Sequence, residues 1–384
     1  MKLKLHIGDK AKRLFKVMAD NALASAMTLF VVFVFILFPL SFSRFNTAQT
    51  MREQYNLMDA YNTIYNLVTE KRPFVRTSDE IVIVDISDMY DRSDLARMLK
   101  SVVDASPKVI GLDVTFYERK DEVADALLDS LASLPKVISP CLLMYEEEDR
   151  FFHVAKTSFY NDSHDCPNVG FVNVELLGAT RVCRTFSPKM YCGEDSVMNF
   201  AALVAKIASL EAYEGLLARS HPSEYINYDR TGFTDISAFY VEENTGMLEG
   251  KIVLIGDKED LADRYMTPID ASQPGVEIHA HVVDTILHDK YIDVMSEPMA
   301  WILAYLVIFL AIPFNALLRR NTWTSLFIPV FQTFLILVSV FVGYWIFASC
   351  HYYVRVVYAM LGIGFLEVGV GLYNKLKLLI FKNR

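Results

Sequence analysis

Hydrophobic residues are arranged along this chain in two ways. At 22–43, 298–318, 323–349 and 352–373 they form near-continuous apolar runs. Each is close to or above the roughly 20 residues that cross a bilayer core. Between the first and second runs the pattern is finer. IVIVD (Ile81 to Asp85), KVIGLDVTF (Lys108 to Phe116), KVISPCLLM (from Lys136) and the run Ile252 to Ile255 have the length and composition of buried strands. Helical spacing follows several of them. Leu95, Met98, Leu99, Val102 and Val103 predict a helix that Asp91 or Ser93 caps; 121–134 predicts another. Pro274–Gly275 opens a third, through Val276, Ile278, Val282, Val283 and Ile286. Strands alternating with helices of about 10–15 residues predict an α/β domain with a largely parallel sheet.

The rest of this middle region is less regular. Residues 151–167 read as a polar loop insertion, NVGFVNVE (from Asn168) as a further strand, and 181–191 as a segment that pairs with its neighbours. Residues 194–218 predict one long helix, and YINYDR (Tyr225 to Arg230) a strand that completes the sheet with Ile252–Ile255. Residues 44–71 contain neither Pro nor Gly and repeat apolar positions at helical spacing, so they are expected to continue the first apolar run as a helix. No internal repeat or low-complexity tract is present, and 44–297 reads as one domain.

Composition supports the membrane reading: 53% of the residues are hydrophobic. The first apolar run exceeds the usual 7–15 residues or so of a signal-peptide core, and Pro39 and Phe42 stand where a cleavage site needs small residues. A retained anchor is expected. Basic residues then set the orientation. They cluster before the first run (Lys2, Lys4, Lys10, Lys12, Arg13, Lys16), between the second and third (Arg319, Arg320) and after the fourth (Lys375, Lys377, Lys382, Arg384). If the four runs alternate across the bilayer, all three clusters are cytoplasmic. The expected layout is a basic cytoplasmic segment at 1–21, transmembrane helices at 22–43, 298–318, 323–349 and 352–373, an extracytoplasmic domain at 44–297, and a basic cytoplasmic tail at 374–384.

That domain carries 24 Lys and Arg against 43 Asp and Glu, so the overall charge of −9 hides an acidic outer part on a basic membrane part. The balance argues against nucleic acid and against docking on anionic lipid. Cys141, Cys166, Cys183 and Cys192 lie in the outer segment, and Cys350 at the outer end of the third span. Disulfides fit such a compartment. Four cysteines allow three pairings, of which Cys183–Cys192 is the most local. There is no C-x-x-C spacing of the kind a structural zinc site uses.

Candidate chemistry gathers at strand ends. Asp85, Asp113 and Asp257 each end a predicted strand, and Asp263, Glu277 and His279 lie in the loop and helix start that follow Asp257. In parallel sheets ligands bind at the carboxyl ends of the strands. Such a cluster offers carboxylate oxygens to a metal ion or to a small polar or cationic ligand. The competing reading is that these acids cap helices and fix loops. No nucleophile elbow, H-E-x-x-H, P-loop or dinucleotide fingerprint occurs, so neither an enzyme nor a cofactor is expected. Within the membrane runs Glu367 stands out, because buried acids face a partner or a cavity, or snorkel to the surface. Gly362, Gly364, Gly369 and Gly371 flank it and permit close helix contact.

The order of these motifs resembles the second type of CHASE domain, the cyclase- and histidine-kinase-associated sensory extracellular domains of bacterial receptors. IVIVDISD with Asp85 and Asp88, IGLDVTF with Asp113, VGFVN followed by Gly178 and Arg181, YINYDR with Asn227, and GKIVLIG, Asp263, Thr267–Pro268 and PGVEIHA are similar to its successive signatures. The resemblance runs through nearly all of the outer segment, and the three C-terminal spans match the family's membrane block. It implies a multi-pass inner-membrane sensor whose periplasmic domain binds a small ligand or ion, with Asp85, Asp88, Asp113, Asp257, Asp263, Glu277 and His279 as candidate ligand-binding residues.

Two departures bear on this. The aromatic Trp-Pro segment common after the family's first strand is missing. After Tyr373 only a short tail remains, too few residues for the family's usual output domain, so an effector in trans (a kinase, cyclase or other regulator) is expected. The alternatives are a structural or assembly subunit that binds another envelope protein, and an extracytoplasmic hydrolase. A homo-oligomer is left open.

Overall fold

The computed structural model describes residues 2–37, 76–146, 151–161, 168–177, 181–229 and 231–382. The expected helix at 44–71, Cys166 and Gly178 lie outside these residues. The chain divides into two compact units, Met1–Tyr61 with Asp293–Arg384, and Asn62–Ile292.

Asn62–Ile292 is built on a seven-stranded sheet. Its strands are β1 (Arg76–Asp85), β2 (Val109–Leu112), β3 (Val137–Glu146), β4 (Phe151–Thr157), β5 (Val169–Phe171), and, further along the chain, β8 (Thr231–Ser237) and β9 (Ile252–Gly256). The order is β8-β1-β9-β2-β3-β4, with β5 also paired to β3. Only the β3–β4 ladder is antiparallel. The apolar runs are continuous because both faces of the sheet are covered. Val82, Val84, Val253, Ile255, Ile110 and Leu112 pack against α2 (Arg92–Asp104) and α3 (Glu122–Ala132). Ile81, Ile83, Ile252, Leu254 and Val109 face α4 (Phe200–Ala208), α5 (Leu210–Arg219) and α6 (Gly275–Leu287). A side chain at Gly111 would run into Leu254, Phe200 and Val204, so its glycine lets α4 settle on the sheet.

The mostly parallel α/β class follows the pattern, and Asp91 caps α2 through the amides of Ser93 (2.8 Å) and Asp94 (3.3 Å). Four details differ. The expected loop at 151–167 begins with β4, an edge strand with no fully buried residue and hence no unbroken apolar run to mark it. NVGFVNVE contributes only Val169–Phe171 to the sheet. Residues 194–218 are not one helix: β6 (Lys189–Cys192) and β7 (Asp195–Met198) form a hairpin, Asn199 caps α4, and Ser209 turns the chain and caps α5 through the amide of Ala212. The sheet edge beside β1 is β8; Glu224–Tyr225 pairs with Thr185–Phe186 outside the main sheet.

The second unit contains α1 (Lys2–Leu37), α7 (Glu297–Leu318), α8 (Ile328–Cys350), α9 (Val357–Gly364) and α10 (Leu366–Lys382). Ala11–Ile36, Glu297–Leu318 and Thr322–Cys350 are long and apolar enough to cross a membrane. Among the described residues a fourth candidate span arises only if α9 and α10, bent by 58°, are taken as one. The straight helix expected at 352–373 is therefore interrupted. Tyr352–Tyr353 pairs with Asp293–Val294, and the helix breaks at Phe365. A side chain at Gly362 would meet Ile308 of α7, and one at Gly369 would meet Thr28 of α1. Glu367 pairs with Arg319 and accepts from Asn315 Nδ2. The contacts of all three residues lie within this bundle.

Candidate functional site

The sheet has a crossover point at β9. β1 and β2, its two neighbours, lead into α2 and α3 on one face, whereas β9 leads through 257–274 into α6 on the other. Adjacent strands that send their connections to opposite faces leave a crevice at their carboxyl ends. On both flanks of β9 that crevice is filled by acids.

On the β1 flank the acids are structural. One carboxylate oxygen of Asp85 accepts from the amides of Ser87 (3.0 Å) and Lys258 (3.2 Å) and from the Ser87 hydroxyl, which ties the β1 and β9 loops together. Lys258 Nζ bridges Asp235 (2.8 Å) and Glu277 (2.7 Å). Asp257 accepts from the amides of Glu259 (2.8 Å) and Asp260 (3.0 Å) and closes its own turn. Asp88, in the turn after β1, is exposed. Asp85 and Glu277 are thus held by Lys258 of the β9 loop, and Asp257 by its own turn.

On the β2 flank, Asp113, Asp263 and His279 come together. Asp113 follows the last residue of β2, where its amide still donates to Ile255 of β9 (2.8 Å). Its side chain is 11% exposed, and its carboxylate lies 3.9 Å from Nε2 of His279, which is 5% exposed. His279 is held edge-on against Phe200 (5.1 Å between ring centres). Asp263 ends a short turn capped by Asp260. A Cβ on Gly275 would fall 2.7 Å from the Asp263 carboxyl carbon, so the glycine at the start of α6 is the seat of this carboxylate. The hydroxyl of Tyr265 donates to it.

The loop that carries Asp263 and Tyr265 is internally fastened. Arg264 donates to the carbonyls of Ser272 (2.7 Å) and Lys258 (2.6 Å), Thr267 donates to Gln273 (2.8 Å), and Arg264–Tyr265 pairs with Gln273–Pro274.

Burial dominates the electrostatics of this cluster. It pushes the Asp113 carboxyl up to about 7 and, with the charge of Asp113 beside it, Asp263 up to about 6. It pushes His279 down to about 4, so the imidazole is neutral. Among the described residues no lysine or arginine forms an ion pair with either carboxylate. Asp263 has the positive end of α6 and the Tyr265 hydroxyl to support its charge. Among the described residues Asp113 has no such support, so it is the more readily protonated of the two. Among the described residues no three acids, histidines or cysteines are placed to hold a metal ion.

Of the seven candidate ligand residues, the structure brings three together. Tyr265 and Gly275 belong to the same cluster; the sequence marks Gly275 only as a helix start and does not mark Tyr265. The placement of Tyr265 two residues after Asp263 in an extended stretch is the signal that was available.

The expected Cys183–Cys192 disulfide is not formed. Cys183 is buried in the α4–α6 core, where the Tyr228 hydroxyl approaches its sulfur (3.4 Å), whereas Cys192 packs in a separate small cluster under the β6–β7 hairpin. Proximity in sequence placed the two thiols together; the intervening Thr185–Phe186 ladder carries them apart.

With this geometry in place, the family is clear. The CHASE2 domain model matches residues 28–313. The chain belongs to the CHASE2 family and carries a sensory extracellular domain of that kind. No curated protein and no solved structure matches it.

Proposed function

We propose that this is an inner-membrane receptor whose extracytoplasmic domain detects a small cationic ligand or ion at the Asp113–Asp263–His279 cluster and signals through its membrane helices to an effector protein in trans. Both termini are read as cytoplasmic, on the strength of the basic clusters that flank the spans. The observation that carries the proposal is a half-buried pair of carboxylates beside a neutral imidazole at the sheet's crossover point, with no basic side chain paired to the two acids among the described residues. Such a site gains from any delivered positive charge, whether a proton or a protonated amine.

The test is calorimetric titration of the full-length protein in lipid nanodiscs with divalent ions, amines and a metabolite panel, between pH 6 and 8. Binding that Asp113→Asn and Asp263→Asn each weaken at least tenfold is expected. No heat and no thermal shift across the panel, or equal binding by both variants, would overturn the reading. Affinity purification from native membranes then identifies the effector. A kinase, cyclase or regulator is expected; stable recovery of an envelope complex would favour an assembly role.

A further inference from the structure

We infer that Cys141 and Cys192 are the redox-active pair of the outer domain, and that an extracytoplasmic thiol oxidant joins them in a disulfide that staples the β6–β7 hairpin to β3. The inference rests on the extracytoplasmic placement proposed above.

Cys141 sits on β3, opposite Phe171 of β5, and is buried in a small cluster with Leu143 and Phe171. Met190, Cys192 and Val197, all from the hairpin, close this cluster from above. Cys192 is the last residue of β6, next to a turn in which Gly193 takes the left-handed conformation (φ +67°) that spares it a steric cost. The two thiols are neighbours electrostatically as well. Burial, with the nearby Cys192, pushes the Cys141 thiol up to about 12. Cys183 lies in another cluster and Cys350 in the other unit, so neither competes within the described residues.

The two positions have different roles in oxidation. Cys192 is half-buried at a hairpin tip, where an oxidant's disulfide can reach it. Burial, with the nearby Asp195, pushes its thiol up, so a small thiolate fraction attacks that disulfide, forms a mixed disulfide and releases one thiol of the oxidant. Cys141 then attacks the Cys192 sulfur, forming the Cys141–Cys192 bond and releasing the second thiol. Two electrons and two protons pass from the protein's thiols to the oxidant, whose disulfide becomes a dithiol. Docked in the cluster, Cys141 is almost wholly protonated and shielded, so the second step belongs to the interval before the hairpin closes over β3.

The test uses the full-length protein in its native membrane, acid-quenched, denatured, alkylated without reductant and mapped by mass spectrometry. Peptides containing Cys141 and Cys192 should appear linked, two hydrogens lighter than the free pair. Cys192→Ser should leave Cys141 alkylated, and Cys183→Ser should leave the link intact. Free alkylated Cys192 in the unreduced wild type, or Cys192 linked to Cys166 or Cys183, would overturn the pairing.

A second variant separates this from the topology. Val123 is 81% exposed on α3, and Val123→Cys should react with a membrane-impermeant maleimide applied from outside the inner membrane. A reactive Val123→Cys without the Cys141–Cys192 link defeats the pairing alone. An unreactive one defeats the extracytoplasmic placement, and with it the inference.

Discussion

Replacing Asp113 with Asn tests the electrostatic reading of the cluster directly. Burial pushes the Asp113 carboxyl from an ordinary 3.8 to about 7. Between those two values the folded protein holds a proton that the unfolded chain has released. Stability from this residue therefore falls as pH rises through that window and levels off above about 7. The full difference amounts to about 4 kcal/mol. Asparagine keeps the shape and cannot ionise, so it removes the penalty at high pH. Its buried amide lacks matched partners and gives back about 1–3 kcal/mol. Asp113→Asn should thus stabilise the protein at pH 8 by about 1–3 kcal/mol and destabilise it by a similar amount at pH 4. For a domain of this size each kcal/mol shifts the melting temperature by about 2–4 °C. His279, pushed down to about 4, contributes the opposite slope between about 4 and 6.5, so the observable is the difference between the two profiles. Thermal unfolding of the detergent-solubilised protein and its variant from pH 4 to 8.5 measures that difference. Parallel profiles would refute the buried, proton-holding state of Asp113.

Two further substitutions probe the same cluster and the membrane bundle. Gly275→Ala drives a methyl into the Asp263 carboxylate and should cost about 1–3 kcal/mol, although alanine is the better helix former. In an Asp263→Ala background the same change should be neutral or stabilising, and a double-mutant cycle with no coupling energy would contradict this seat for Asp263. In the bundle, Glu367→Gln should lower the melting temperature by loosening its contact with Arg319, and exchanging the two residues should restore part of the loss. An unchanged melting temperature would show that Glu367 is satisfied by its surroundings instead.

The α/β character was legible because the strands are covered on both faces. Ile81 to Val84 alternate between two helical layers, which leaves an unbroken apolar run with no polar positions to confuse it. The same logic hid β4, whose outer-edge side chains carry no such run. Helix propensity was misleading at 194–218, where Ala-rich residues on either side of Ser209 masked a turn fixed by one hydroxyl. For the site, strand ends identified the edge, since Asp85, Asp113 and Asp257 terminate or follow adjacent strands. Which acids would find partners was not legible. That depends on the path of 257–274, which delivers the Lys258 amide to Asp85 and its ammonium to Glu277 but leaves Asp113 with a neutral histidine. Cysteine pairing failed for the same reason, because spacing along the chain says nothing about which cluster each thiol enters.

The helix α6 joins the cluster to the rest of the chain. It starts at the seat of Asp263, carries His279 in its second turn, and ends at residues that lead through 288–292 to Asp293, where the membrane-helix unit begins. Its last turn is clamped by buried charge. Lys290 Nζ reaches Asp284 (2.6 Å) and Asp229 (3.0 Å), and Asp284 is 1% exposed. Asn227 adds two bonds, donating from its amide to Thr285 Oγ1 (3.0 Å) and from its side chain to the Lys290 carbonyl (3.0 Å). These ion pairs fix the far end of the helix, away from the cluster at its start. Lys290→Met leaves two carboxylates without their cation and should cost about 3 kcal/mol, and adding Asp284→Asn should recover part of it. The Asp113-dependent pH difference should survive in Lys290→Met, because the cluster is formed by the opposite end of the helix. Loss of that difference in the folded variant would mean that the two ends are not separable, and that α6 responds as part of the core rather than as a connecting rod.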